Sequence, residues 1–238
     1  MKTAIFVDGG FYRRRAQSVL GALTAEERAA ELETYCHRHL HYKKNNPNSD
    51  KKELYRIFYY DCPPMDKKIY HPFLHKQVDF SKTDLFTWSI TFLDELKKKR
   101  KFALRLGKLA DGQAHYSLRE PVLKKLCNGT IKFDDLTEND FIINVDQKGV
   151  DMKIGLDIAS LAYKKQVDQI ILISGDSDFV PAAKLARREG IDFILDPLGA
   201  PIKPDLFEHI DGLRSCDKLY LEKLKNQLGA NLVKQAKA

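Results

Sequence analysis

The stretch LISGDSDFVPAAKLARREG, residues 172–190, decides how the rest of the chain is read. Its apolar start belongs to QIILI, residues 169–173, an unbroken apolar run that reads as a buried strand. A helical pattern then runs from Ser177 or Asp178 to Gly190, where glycine favours a C-terminal stop. Between strand and helix stand Asp176 and Asp178, one residue apart. A helix needs one capping side chain, and Ser177 or Asp178 can supply it. The remaining carboxylate is a surplus charge at the mouth of a buried strand.

Working outward, KTAIFV (2–7) is a short strand followed by a turn at Asp8-Gly9-Gly10 and a helix over 11–20. Thr24 and Glu27 have capping-box spacing and open a helix reaching about residue 42. KKNNPNSDKK (43–52) has turn composition and is expected to be a loop. LYRIFYY (54–60) is a strand ending at Asp61, and a helix over 85–99 and a strand over 102–109 follow. Residues 111–140 form a polar excursion with a short helix near 121–127. A helix over 152–163 carries Ile154, Ile158 and Leu161 on one face, 191–195 is a strand, and 219–238 is a terminal helix. Strands alternating with helices predict an α/β fold: a mainly parallel central sheet covered on both faces, a three-layer α/β/α sandwich. In such sheets ligands bind beyond the carboxyl ends of the strands, where strand order reverses. Asp8, Asp61 and Asp176 each follow a strand and face that edge.

A chain of 238 residues with 43% hydrophobic composition suits one large domain with insertions. Forty basic against 33 acidic residues give a net charge of +7, consistent with a polyanionic partner. The basic residues cluster, as at Arg13-Arg14-Arg15 and residues 97–101, although for any one cluster a solvated helix face is the better reading. Four cysteines without CxxC spacing argue against a zinc framework and for reduced thiols in a cytoplasmic protein. There is no secretory signal pattern and no run approaching the ~20 apolar residues of a membrane span, so no membrane partner is expected.

Singly, each aspartate has an ordinary role. Asp8 can sit in a turn, Asp151 can favour the positive end of the helix it opens, and Ser177 or Asp178 can cap the next. Together they fit those roles less well. Converging carboxylates repel unless a cation compensates. No histidine or cysteine accompanies them, so the hard ions Mg²⁺ or Mn²⁺ suit the set. Such an ion activates water and neutralises charge on a phosphodiester.

IFVDGG, KGVDMKIGLDIASLA and LISGDSDFVPAAKLARREG together resemble the NYN domain family, a branch of the PIN-like nucleases, and its LabA-like bacterial members above all. The resemblance covers residues 2–212, with segments near 24–52 and 111–140 as insertions it does not explain, and residues 213–238 as a C-terminal helix or tail. It implies a PIN-like fold and a metal-dependent ribonuclease acting on single-stranded or exposed RNA. The family's aspartates fall on Asp8, Asp151, Asp176 and Asp178, implying both catalysis and Mg²⁺ or Mn²⁺ binding there. Ser174 and Lys148 occupy motif positions that would contact a phosphate, although Ser174 equally satisfies a backbone group at a strand end. Arg13 and Arg14 join them as substrate contacts. Many members carry asparagine three residues after the first aspartate, where this chain has Phe11.

Other residues have plainer readings. Asp157 lies six positions after Asp151, roughly 600° around a helix, and stays outside the acidic set. Asp61 is a turn residue with an option on the acidic site. His37, His39 and His41 sit on a basic segment and read as a solvated or RNA-facing helix rather than a metal tract. Tyr12, Tyr55 and Tyr116 adjoin basic residues and could stack on bases. Phe58, Tyr59 and Tyr60 belong to the core, and Trp88 to helix packing. Three functions stay open: the endoribonuclease, an RNA-binding or regulatory module with little chemistry, and a Mg²⁺-dependent phosphohydrolase of small molecules. The absence of a phosphate-cradling glycine loop counts against the last. A homo-oligomer is also left open.

Overall fold

The computed structural model describes residues 1–41 and 52–214. The expected loop over 43–52, apart from its last residue, and the expected helix over 219–238 lie outside the described residues. The elements in order are β1 (Lys2–Asp8), α1 (Gly9–Leu20), α2 (Ala25–His41), β2 (Glu53–Asp61), β3 (Lys68–His71), β4 (Lys76–Asp79), α3 (Asp84–Lys98) and β5 (Phe102–Leu106). They continue with β6 (Lys108–Leu109), β7 (His115–Leu118), α4 (Glu120–Cys127), β8 (Phe141–Asn144), β9 (Gln147–Lys148) and α5 (Val150–Tyr163). The chain closes with β10 (Gln169–Ile173), α6 (Val180–Arg188), β11 (Asp192–Asp196), α7 (Pro204–Glu208) and β12 (Gly212–Leu213).

Six strands form one sheet in the order β12-β11-β10-β1-β2-β5, and every pairing in it is parallel. β1 lies at the centre. From it the chain builds outward through β2 and β5, then returns to the other flank to lay down β10, β11 and β12. Strand order therefore reverses between β1 and β10, which pair from Thr3↔Gln169 to Val7↔Ile173.

Alternation along these strands divides the core into two layers. Ala4 and Phe6 of β1, with Ile170 and Leu172 of β10, face α5, α6 and α7. Ile5, Val7, Ile171 and Ile173 face α1, α2 and α3. All eight are 0% exposed, and each larger side chain so buried contributes about 1.5–3 kcal/mol. The result is an α/β/α sandwich.

Several boundaries differ from the sequence reading for local reasons. α1 begins directly at Gly9, without the expected turn, because Asp8 itself is the cap and accepts the Phe11 amide at 3.0 Å. Gly9 permits this: a Cβ there would stand 2.5 Å from Tyr59 Oη and 2.6 Å from the Tyr60 carbonyl oxygen. The strand expected over 102–109 breaks at Gly107, and β6 turns away to pair with β9. The capping box is present, with the Thr24 amide on Glu27 at 3.0 Å and the Glu27 amide on Thr24 Oγ at 3.2 Å. α2 is a core element, burying Ala25, Ala29, Leu32, Tyr35 and Cys36. Residues 111–140 carry α4 as expected and also β7, which pairs with β8. The β3–β4 hairpin was not anticipated. Among the described residues no helix is long and apolar enough to cross a membrane.

Candidate active site

The reversal between β1 and β10 sets the place of the site, since a crevice opens where neighbouring strands send their following segments to opposite faces. Asp8 ends β1, and Asp176 follows β10 by three residues. Both act as caps. Asp8 Oδ1 takes the Phe11 amide, and Asp176 Oδ1 takes the Asp178 amide at 3.0 Å, closing a 3₁₀ turn over Ser177–Phe179. α6 starts only after that turn, so the cap expected from Ser177 or Asp178 is supplied instead by Asp176 to the turn. Ser174 joins the two aspartates: its hydroxyl donates to Asp8 Oδ2 at 3.0 Å and accepts from the Asp176 amide at 3.3 Å. Ser174 is 0% exposed, and its bond from the Asp176 amide is the backbone-satisfying role that the strand end allows.

Asp8, Asp151 and Asp176 line one open cleft of about 510 Å³, together with Arg13, Arg14, Gly10, Gln17, Val145, Gln147 and Val150. Asp151 enters from the first turn of α5, whose cap is Gly149 with φ +79°. Burial pushes the Asp8 carboxyl above the ordinary 3.8, against opposing hydrogen bonds from Phe11 and Ser174, and the charge of Asp151 adds to the rise. Asp151 is raised by burial and then by the charges of Asp176 and Asp178. The four aspartates therefore share one electrostatic field, although Asp178 does not line the cleft. Lys148 sits exposed on β9 beside Gln147 and also falls outside the lining.

The three arginines of α1 have separate roles. Arg13 Nη2 donates to Asp61 Oδ1 at 3.0 Å, and its Nε lies 3.0 Å from Oδ2 without hydrogen-bond alignment. Arg15 donates to the Leu198 carbonyl at 2.9 Å. Arg14 is exposed and lowers the pKa of Asp8. Asp61 is thus no turn residue. It is 2% exposed and also accepts from Tyr59 Oη at 2.9 Å and the Cys62 amide at 2.8 Å.

Phe11 lies in the first turn of α1, three residues after Asp8. Its ring covers Gly175, where a Cβ would stand 2.8 Å from Phe11 Cε2. Asp157 is remote from the cleft, accepting Tyr60 Oη at 2.8 Å and Arg105 Nε at 3.1 Å. His39 corrects the solvated-helix reading. It is 5% exposed, with Nε2 2.8 Å from Asp196 Oδ2, which also accepts from Tyr35 Oη. Tyr12 is 0% exposed and bonded to Glu31, so it is not a stacking surface. Gln17 and Gln147 were missed, since lone amides carry no sequence signal. Lys203, 3.1 Å from Ser177 Oγ, was missed too.

Residues 95–201 match the NYN domain. The NYN match includes Asp151, Asp176 and Asp178 and begins after Asp8. An NYN domain implies a PIN-like nuclease fold, in keeping with the sheet described above. An uncharacterized protein, y4oD, from Sinorhizobium fredii is 32% identical over 80 residues, covering 32% of this chain and 37% of that one. The match thus spans little more than a third of that curated relative's length. A solved structure of a protein of unknown function, VPA0982 from Vibrio parahaemolyticus, aligns with a TM-score of 0.45 at 15% identity, over 91% of this chain and 93% of that one.

The donor set suits a hard cation. Among the described residues no group of three His, Cys, Asp or Glu side chains is arranged to hold a metal. A Mg²⁺ ion asks for less: it is commonly held by one or two carboxylates, with waters and substrate phosphates completing the shell. A cleft with three carboxylates, two of them raised by burial and mutual repulsion, provides that much.

Proposed function

We propose that this protein is a divalent-cation-dependent endoribonuclease acting on exposed RNA, with its chemistry at Asp8, Asp151, Asp176 and Asp178. The observation that carries the reading is the convergence of Asp8, Asp151 and Asp176, from three separate segments, on one cleft at the reversal of strand order, with Arg13 and Arg14 in its wall. Asp151 and Asp176 are the residues to hold Mg²⁺ or Mn²⁺, with Asp8 and Asp178 contributing directly or through water. Bound there, the ion would neutralise charge on the phosphodiester and activate water. Arg14 attracts the RNA backbone, and Arg13, fixed by Asp61, presents a cation of set orientation. Ser174 holds Asp8 in place.

The test is cleavage of a labelled mixed-sequence RNA by wild type and Asp176→Asn, with Mn²⁺, Mg²⁺ or EDTA. Metal-dependent cutting that disappears in the variant supports the reading. No cutting under any condition, with RNA still shifted on a gel, favours the second reading, an RNA-binding module with little chemistry. Phe11 over Gly175 is the observation on that side, since an apolar ring replaces a polar amide beside Asp8 and Asp176. Phe11→Asn should then create or raise activity.

A further inference from the structure

A second cavity of about 400 Å³ adjoins the acidic cleft, and the two share Arg13 and Gln17 in their walls. The rest of its lining is Ala22, Leu23, Leu85 and Trp88, with Arg28 and Asp84 as the charged members. Trp88 is half-buried, with its ring stacked on Phe92 at 5.1 Å and its Nε1–H donated to the Leu23 carbonyl at 3.0 Å. The indole is therefore held rigid from one face and one edge, and the rest of the ring borders the cavity. Leu85, also in the lining, is 68% exposed.

We infer that this cavity receives one unpaired base of the RNA whose phosphate lies at the aspartates, the base stacking on Trp88 with Arg13 and Gln17 bridging to the backbone. The occupant follows from the cavity's position. A strand held at the cleft by its phosphate carries a flat, apolar-faced ring with polar edges about one nucleotide away. The cavity offers an aromatic wall, the Gln17 amide, the Arg13 and Arg28 guanidiniums and the Asp84 carboxylate, which can accept from a base's amino edge, and it falls within the roughly 300–1,000 Å³ range of small-ligand sites. Base stacking on aromatic side chains tolerates all four bases, so this subsite favours unstacked RNA over duplex without selecting a sequence. The inference rests on the nuclease reading for the strand's placement and extends it to the choice of single strands.

The chain has one tryptophan, so its emission reports on this cavity alone. Wild-type protein in EDTA, where no cutting is expected, is titrated with an eight-nucleotide RNA while Trp88 fluorescence and filter binding are followed. A saturable change in emission that tracks binding is expected, and it should disappear when an abasic residue occupies one particular position of the strand. Leu85→Gln, at an exposed position and without added charge, should weaken binding of the eight-nucleotide RNA several-fold, because the base loses an apolar wall, while the abasic strand is bound as before. RNA that binds and is cut while Trp88 emission stays unchanged overturns the subsite and leaves the nuclease standing. RNA that binds and quenches Trp88 but is never cut upholds the subsite and defeats the catalytic part of the proposal. RNA that does not bind at all defeats both.

Discussion

Arg13 of α1 is clamped by Asp61 at the end of β2, Nη2 to Oδ1 at 3.0 Å, with the carboxylate side chain 3% exposed and the arginine 28%. The pair joins the first helix to the second strand beside the cleft that Arg13 lines. Removing one partner of a fully buried pair costs about 3–5 kcal/mol, and the partial exposure of Arg13 lowers the expectation for Asp61→Ala to about 2 kcal/mol. Urea denaturation measures it. RNA affinity should fall as well, because the freed guanidinium loses its orientation.

Arg14 should behave differently. It is exposed and no partner orders it in the manner of Asp61, so Arg14→Ala should leave stability within about 0.5 kcal/mol. RNA binding should weaken, and the slope of log affinity against log salt should become shallower by about one phosphate contact. Filter binding at several salt concentrations decides it, and an unchanged slope would place the backbone elsewhere.

Gly175 lies under the Phe11 ring, so Gly175→Ala forces that ring aside at a cost of about 1 kcal/mol. The cost should largely vanish when Phe11 is already alanine. A double-mutant cycle by thermal denaturation reads the coupling, and additive effects would show that the two residues do not touch.

Folding raises the pKa of Asp8 and Asp151, so between the ordinary 3.8 and the raised values the native state holds more protons than the unfolded chain. These two groups therefore oppose folding increasingly as pH rises through that interval, and the penalty is full above it. A Mg²⁺ or Mn²⁺ ion bound as proposed would relieve the penalty by favouring the ionised form. Thermal denaturation should show a metal-induced rise in Tm near pH 7 and none at about pH 3, where the carboxyls are protonated. Asp151→Asn should raise Tm in EDTA and shrink the metal response. A full response in that variant would locate the ion outside the cleft.

Asp157 supplies the control. It receives Tyr60 Oη and Arg105 Nε away from the cleft, so Asp157→Asn should cost about 1 kcal/mol in stability. RNA cleavage per folded molecule should not change. A lost activity would extend the acidic set along α5.

The fold was legible where the chain is apolar without interruption. QIILI and KTAIFV read as buried strands because both of their faces are covered, and the surplus carboxylates after them pointed to the sheet edge. The short hairpin strands β3 and β4 have mixed exposure and carry no clear period, so they left no trace. Partnerships across the fold were equally silent: nothing local ties Arg13 to Asp61, 48 positions away. His39 did leave a signal that the basic context hid. Counting from Leu32 and Cys36 at helical spacing, His39 falls on the buried face of α2, which is where Asp196 meets it. Gln17 and Gln147 became visible only through the cleft they line.

The pairing of β1 with β10 has a consequence for the moment of synthesis. Thr3 meets Gln169 over a sequence separation of 166, and Asp8 gains Ser174 over the same separation. The cleft is thus completed by the last third of the chain, a long-range closure of the slow kind. A polypeptide still emerging from the ribosome holds Asp8 long before it holds Asp176. The proposed chemistry therefore has no complete site on a growing chain until residues 169–178 have been made.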